Sequence, residues 1–123
     1  MFDHISIGVR DLARAKRFYD AVLQPLGYGR LSEDAGTLGY GSGKVALWIG
    51  VVDRPVPADE GSNLHFCFAA PSREAVDAFH AAAVLSGGRD NGAPGLRQAY
   101  GAGYYAAFAI DPDGYRLEAY CGG

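Results

Sequence analysis

The most constraining feature of the chain is that it repeats itself. His4 and His65 stand 61 positions apart (65 − 4), and the same offset relates Ile5 to Phe66, Ile7 to Phe68, Ala15 to Val76, Phe18 to Phe79 and Gly27 to Gly88. A period of half the chain implies that one supersecondary unit has been duplicated, with each copy burying its apolar face against the other. In the first copy, residues 2–9 alternate, with Ile5, Ile7 and Val9 on one face and His4, Ser6 and Gly8 on the other, as in a half-buried strand. Asp11 then offers an N-cap, and Leu12, Ala15, Phe18, Tyr19, Val22, Leu23 and Leu26 recur at helical spacing until Pro25 and Gly27 end the run. Residues 28–31, 37–40 and 44–51 read as three short strands separated by glycine-rich turns.

The second copy starts after a Pro- and Gly-containing linker, 53–61. Leu64, Phe66 and Phe68 form an apolar strand face opposite Asn63, His65, Cys67 and Ala69. Ser72 caps a helix carrying Ala75, Val76, Phe79, Ala82 and Ala83, and Gly87-Gly88 stops it. The turn Asp111-Pro112-Asp113-Gly114 then feeds a strand on which Arg116, Glu118 and Tyr120 share one face. Between the turn glycines the offset is 71 (114 − 43), so the second copy has gained about ten residues. We place them in 91–103, read as a long polar loop that presents Arg97, Gln98 and Tyr100 to a substrate; a plain surface loop is the competing reading. The expected fold is α+β: one domain, 1–123, of two pseudo-symmetric βαβββ modules, 1–52 and 62–123, forming a cupped mixed sheet.

Charge and composition narrow the function. Eleven basic and fourteen acidic residues, without a basic run, favour neither nucleic acid nor an anionic membrane. No stretch approaches a membrane span, and the N-terminus lacks a basic segment followed by an apolar core, so a cytoplasmic location is expected. Cys67 and Cys121 have no motif spacing and read as reduced thiols.

If the two units pair about a pseudo-two-fold axis, His4, His65 and Glu118 converge on the inner face of the sheet, with Leu47 (118 − 71) at the fourth equivalent position. Two neutral imidazoles and one carboxylate suit a divalent metal and leave adjacent positions open for substrate oxygens. Each residue also has a plainer reading. A strand histidine often serves only as a hydrogen-bonded rim residue, Glu118 has Arg116 beside it on its face, and Cys67 reads as a small core thiol. His80 falls on the solvated side of the second helix near Asp77, and Trp48 packs on a helix or a partner subunit.

The run from His4 to Tyr19, the His65 strand and the segment from Asp111 to Glu118 together resemble the vicinal oxygen chelate superfamily, which includes glyoxalase, bleomycin resistance proteins and extradiol dioxygenases. The resemblance covers essentially the whole chain and implies a glyoxalase-like fold around a divalent metal (iron, manganese, nickel or zinc) held by His4, His65 and Glu118. It also implies a small-molecule substrate and a homodimer. Ser6, Arg97, Tyr100 and Tyr120 are the expected substrate contacts. Glyoxalase uses a further glutamate where Leu47 is expected to stand, and leucine neither binds metal nor moves protons. The expected activity is that of a metal-dependent lyase, isomerase or ring-cleaving dioxygenase on a substrate chelating through two oxygens. The alternative is a metal-free binding protein of the bleomycin-resistance kind.

Overall fold

The computed structural model describes residues 1–56, 59 and 61–122. The expected linker, 53–61, therefore lies partly outside the described residues. The first half runs β1 (Ile5–Val9), α1 (Leu12–Leu23), a single 3-10 turn (Gln24–Leu26), β2 (Gly29–Glu33), β3 (Thr37–Ser42) and β4 (Lys44–Val51). The second runs β5 (Phe66–Ala69), α2 (Arg73–Leu85), β6 (Arg89–Leu96), a 3-10 turn (Gln98–Tyr100), β7 (Tyr104–Ile110) and β8 (Arg116–Gly122). Each half forms a four-stranded mixed sheet, β1-β4-β3-β2 and β5-β8-β7-β6, so β1 and β5 both stand at an edge. The α+β fold of two βαβββ repeats is present.

Local chemistry explains the boundaries. Asp11 and Ser72 cap the two helices, accepting from the backbone N–H of Arg14 at 3.0 Å and of Ala75 at 3.1 Å. The apolar stripes bury Ala15, Phe18, Tyr19, Val22 and Leu23 from α1 and Ala75, Val76, Phe79 and Ala83 from α2. Both helices cover sheet faces and pack on one another. The left-handed glycines that end the helical arms are Gly27 and Gly87, so these caps fall one residue off the repeat offset. Gly88 is a close approach instead, because a side chain there would collide with the ring of Phe18 and the carbonyl of Ile110.

The turn before β8 also joins the halves. The Asp111 carboxylate, buried, accepts from Tyr19 Oη at 2.5 Å and from the N–H groups of Asp113 and Tyr115. Burial pushes this carboxyl above the usual range, and these hydrogen bonds oppose the shift. Asp113 accepts from Arg14 at 3.1 Å, Tyr115 Oη donates to the Gly8 carbonyl at 2.7 Å, and Tyr28 Oη donates to that of Ala69 at 2.8 Å.

Three expectations are corrected. The long polar loop at 91–103 is strand over its first six residues: β6 continues to Leu96 and pairs antiparallel with β7, and a 3-10 turn follows. Its Gly92, Pro94 and Gly95 are accommodated because β6 is an edge strand whose register breaks at Asp90/Gly92 and at Gly92/Gly95. Leu47 is not the counterpart of Glu118. It pairs with Ile5 on the core face, as Leu117 pairs with Phe66, and Trp48 opposite Ser6 corresponds to Glu118 opposite Cys67. The turn glycines misled the count because the first hairpin closes from Ser42 to Lys44 while the second inserts Asp111 to Tyr115 between Ile110 and Arg116. Finally, His80 is half-buried and meets Asp90 of β6 at 2.8 Å, while Asp77 accepts from Tyr105.

Candidate metal centre

The β7–β8 hairpin presents Glu118, and β5 brings in its neighbours. Phe108 is the cross-strand partner of Glu118 on one side and Cys67 on the other, so these three side chains share a face. The Glu118 side chain is only 4% exposed, yet both carboxylate oxygens have partners. His65 Nε2 lies 2.9 Å from Oε1, and Tyr104 Oη donates to Oε2 at 2.6 Å. Burial, then the carboxylate, raise the Tyr104 hydroxyl well above its ordinary range, so it remains protonated at neutral pH. Cys67 is exposed rather than a core thiol, yet its thiol is pushed up to about 12, first by desolvation and then by Glu118.

His65 is oriented from its other nitrogen. Asn63 has positive φ, a conformation Asn tolerates better than most residues, and its carbonyl lies 3.0 Å from His65 Nδ1. A carbonyl only accepts, so a proton on Nδ1 satisfies this contact, and Nε2 meets the carboxylate oxygen either as a second N–H donor or, with an ion in place of that proton, through its lone pair. Two electron-rich atoms held 2.9 Å apart require a cation between or beside them, either a proton or a metal ion. Adjacent ligands of one ion with bonds of about 2.1 Å lie about 3 Å apart, so the pair fits as two donors of a divalent metal site. Asn63 orients the His65 ring from behind and Tyr104 holds the second carboxylate oxygen, the kind of support a metal ligand needs.

Within one chain the set stops at two. His4 stands immediately before β1, as His65 stands before β5, but it is exposed and its Nδ1 faces Asp3 at 2.7 Å. The Asp3 carboxyl, also bonded by Lys44, is lowered to about 2, with Lys44 the larger cause and His4 the smaller. Among the described residues no group of three or more His, Cys, Asp and Glu side chains is placed to hold an ion. A cleft of about 620 Å³ is nevertheless bordered by both histidines, together with the exposed apolar side chains of Phe2 and Leu64.

The other expected contacts divide. Ser6 is exposed on β1 beside Trp48. Tyr120 stacks on Tyr104 with ring centroids 4.0 Å apart, and exposed Tyr100 meets Tyr104 edge-on at 5.4 Å, so these tyrosines line one flank of Glu118. Arg97 lies over Phe108, whose ring meets His65 at 6.1 Å. Tyr104 itself was missed by sequence reasoning, although counting back from the Asp111 turn places it on the face of Glu118 with only Ala106 between it and Phe108. Tyr40 and Tyr105 face elsewhere and donate to Asp20 and Asp77.

A family model, Glyoxalase/Bleomycin resistance protein/Dioxygenase superfamily, matches residues 1–119. A glyoxalase/bleomycin resistance protein from Albidiferax ferrireducens T118 is 38% identical, covers 98% of each chain and superposes with a TM-score of 0.81. A putative glyoxalase from Bacillus halodurans is 26% identical over 98% of this chain and 94% of its own, with a TM-score of 0.72. The fosfomycin resistance protein FosX from Mesorhizobium loti shares the fold at 18% identity and a TM-score of 0.71, covering 100% of this chain and 92% of its own. No curated protein matches the sequence. With a whole-length family match and a relative this similar, the chain belongs to the glyoxalase/bleomycin resistance protein/dioxygenase superfamily.

Proposed function

We propose that this protein is a divalent-metal-dependent enzyme acting on a small molecule that offers two adjacent oxygens to the ion, and that the site is shared between two copies of the chain. His65 and Glu118 supply two donors, and His4 of a second copy supplies the third. The observation that carries this reading is His65 Nε2 held 2.9 Å from a buried carboxylate oxygen while Nδ1 is engaged by the Asn63 carbonyl. Sharing is supported by the exposed His4, by the open edges of β1 and β5, and by exposed Phe2 and Leu64 beside the two histidines. Two cysteines without a disulfide suit a reducing compartment such as the cytoplasm.

Once bound, the ion supplies Lewis acidity to an oxygen that becomes anionic during the reaction. The protein's part is positioning. Asn63 holds the His65 tautomer, Tyr104 holds the second carboxylate oxygen, and Ser6 and Tyr120 flank the ligand. Tyr104, protonated at neutral pH, holds a proton at the site rather than removing one. Trp48 occupies the place equivalent to Glu118, and its indole can only donate, so proton transfer through a second carboxylate there is unavailable. Chemistry that needs no such base is the class this arrangement supports: a Lewis-acid-assisted lyase reaction or, were the ion redox-active as iron is, oxidation of a bound diol by oxygen.

A metal-free binding protein is the second reading, favoured by one fact: Tyr104 and His65 already satisfy both oxygens of Glu118. Metal analysis of the purified chain separates the two. The enzyme reading expects about one divalent ion per site, lost in His65→Ala and in Glu118→Gln. Full metal content in both variants contradicts it.

A further inference from the structure

Gly92, Pro94 and Gly95 weaken β6 as a strand, and in return they leave a trough for one side chain. A Cβ at Gly92 would lie 3.2 Å from one terminal nitrogen of Arg97 and 3.0 Å from Phe108, and a Cβ at Gly95 would lie 3.5 Å from the other. Arg97, one residue past β6, folds back along that strand, donates to the Ala93 carbonyl at 2.6 Å and sets its guanidinium 5.5 Å from the centre of the Phe108 ring. Arg14 and Arg30 pair with aspartates, whereas Arg97 forms no ion pair among the described residues.

The place it occupies gives this cation its meaning. Phe108 is the cross-strand partner of Glu118 and meets His65 edge-on, so the guanidinium is separated from the His65–Glu118 pair by a single ring. A fixed cation without a counter-ion beside a ligand site is a receptor for an anion that the ligand brings. With one terminal nitrogen engaged by the Ala93 carbonyl, the remaining N–H groups of the guanidinium are the donors left for a ligand, and two of them side by side form a fork. That fork matches a planar carboxylate.

The geometry points to Arg97 as a specificity residue that selects small carboxylates, the carboxylate on Arg97 and the body of the molecule reaching over Phe108 toward His65 and Glu118. This assignment rests on the reading of that face as the ligand site, but it does not depend on the metal.

Calorimetric titration of the full chain with 3,4-dihydroxybenzoate, 3,4-dihydroxybenzamide and catechol tests it, with and without added zinc. The acid is expected to bind about tenfold more tightly than either neutral compound, the effect of one charge-assisted pair. Arg97→Gln is expected to erase that preference, and Arg97→Lys, which keeps charge but loses the fork, to retain only part of it. Equal binding of acid and amide by the unaltered protein, a comparison that needs no variant, overturns the assignment. So does an undiminished acid preference in Arg97→Gln, or no binding of the acid at all. An Arg97-dependent acid preference that zinc leaves unchanged upholds the carboxylate assignment even if the metal reading fails.

Discussion

The two halves of the molecule share a scaffold and differ on the face it displays. In the first half, the strand pair β1–β4 sets Ser6 opposite Trp48, with His4 at the strand mouth. In the second, β5–β8 sets Cys67 opposite Glu118, with His65 at the mouth. Beneath these faces the packing is nearly identical: Ile5 opposite Leu47 answers Phe66 opposite Leu117, and Phe18 answers Phe79. Duplication has preserved what burial demands and left the opposite face free to change. The result is unequal halves, one with an imidazole and a carboxylate held by Asn63 and Tyr104, the other with a single exposed imidazole and an indole that can only donate.

The largest effect should fall where the halves agree. Phe18→Ala and Phe79→Ala each remove a fully buried ring, and each is expected to cost about 3–5 kcal/mol by denaturant unfolding. A large disparity between them would break the equivalence of the two cores. The next effect should separate the faces. Glu118→Gln is expected to weaken metal binding about 100-fold or more in a competition titration, while Trp48→Phe at the equivalent place changes it by less than about twofold. Equal losses would remove the distinction drawn between the two faces.

Tyr104→Phe sharpens the comparison, because in the first half Trp48 takes the place of Glu118 and leaves no carboxylate there for a tyrosine to hold. Removing its bond to Glu118 is expected to weaken metal binding about tenfold, with the core unaffected in thermal unfolding. The smallest effect concerns Cys67, which faces Glu118 where Ser6 faces Trp48. With its thiol held up to about 12, the reactive thiolate is scarce at neutral pH, so alkylation measured by mass spectrometry should be slow there and accelerate as pH rises toward that value. Glu118→Gln removes a charge that opposes the thiolate, so it should speed the reaction at fixed pH.

Much of the scaffold was legible in the residues. Alternation marked β1, the Asp11 and Ser72 caps marked both helices, and apolar spacing named nearly all of the helical core. What escaped depended on pairing between distant strands. Gly92, Pro94 and Gly95 carry turn chemistry, and only an edge position with bulges lets them remain in β6. The shift of one position that put Leu47 in place of Trp48 came from equating turn glycines in hairpins of different length, and in a strand one position exchanges the two faces. At the site, the encounter of His65 with Glu118 followed from the repeat, whereas the roles of Tyr104 and Asn63 depended on side-chain reach and on one positive φ that spacing does not encode.

The most direct test of a site shared between copies is subunit mixing. His4→Ala and His65→Ala proteins, each expected to hold no metal, are unfolded together, refolded and analysed for bound ion. A mixed dimer restores one site with intact His4, His65 and Glu118 and leaves the other broken, so about one ion should return for every two chains in that dimer. A mixture as empty as its parents, or parents that keep their metal, would contradict the shared site.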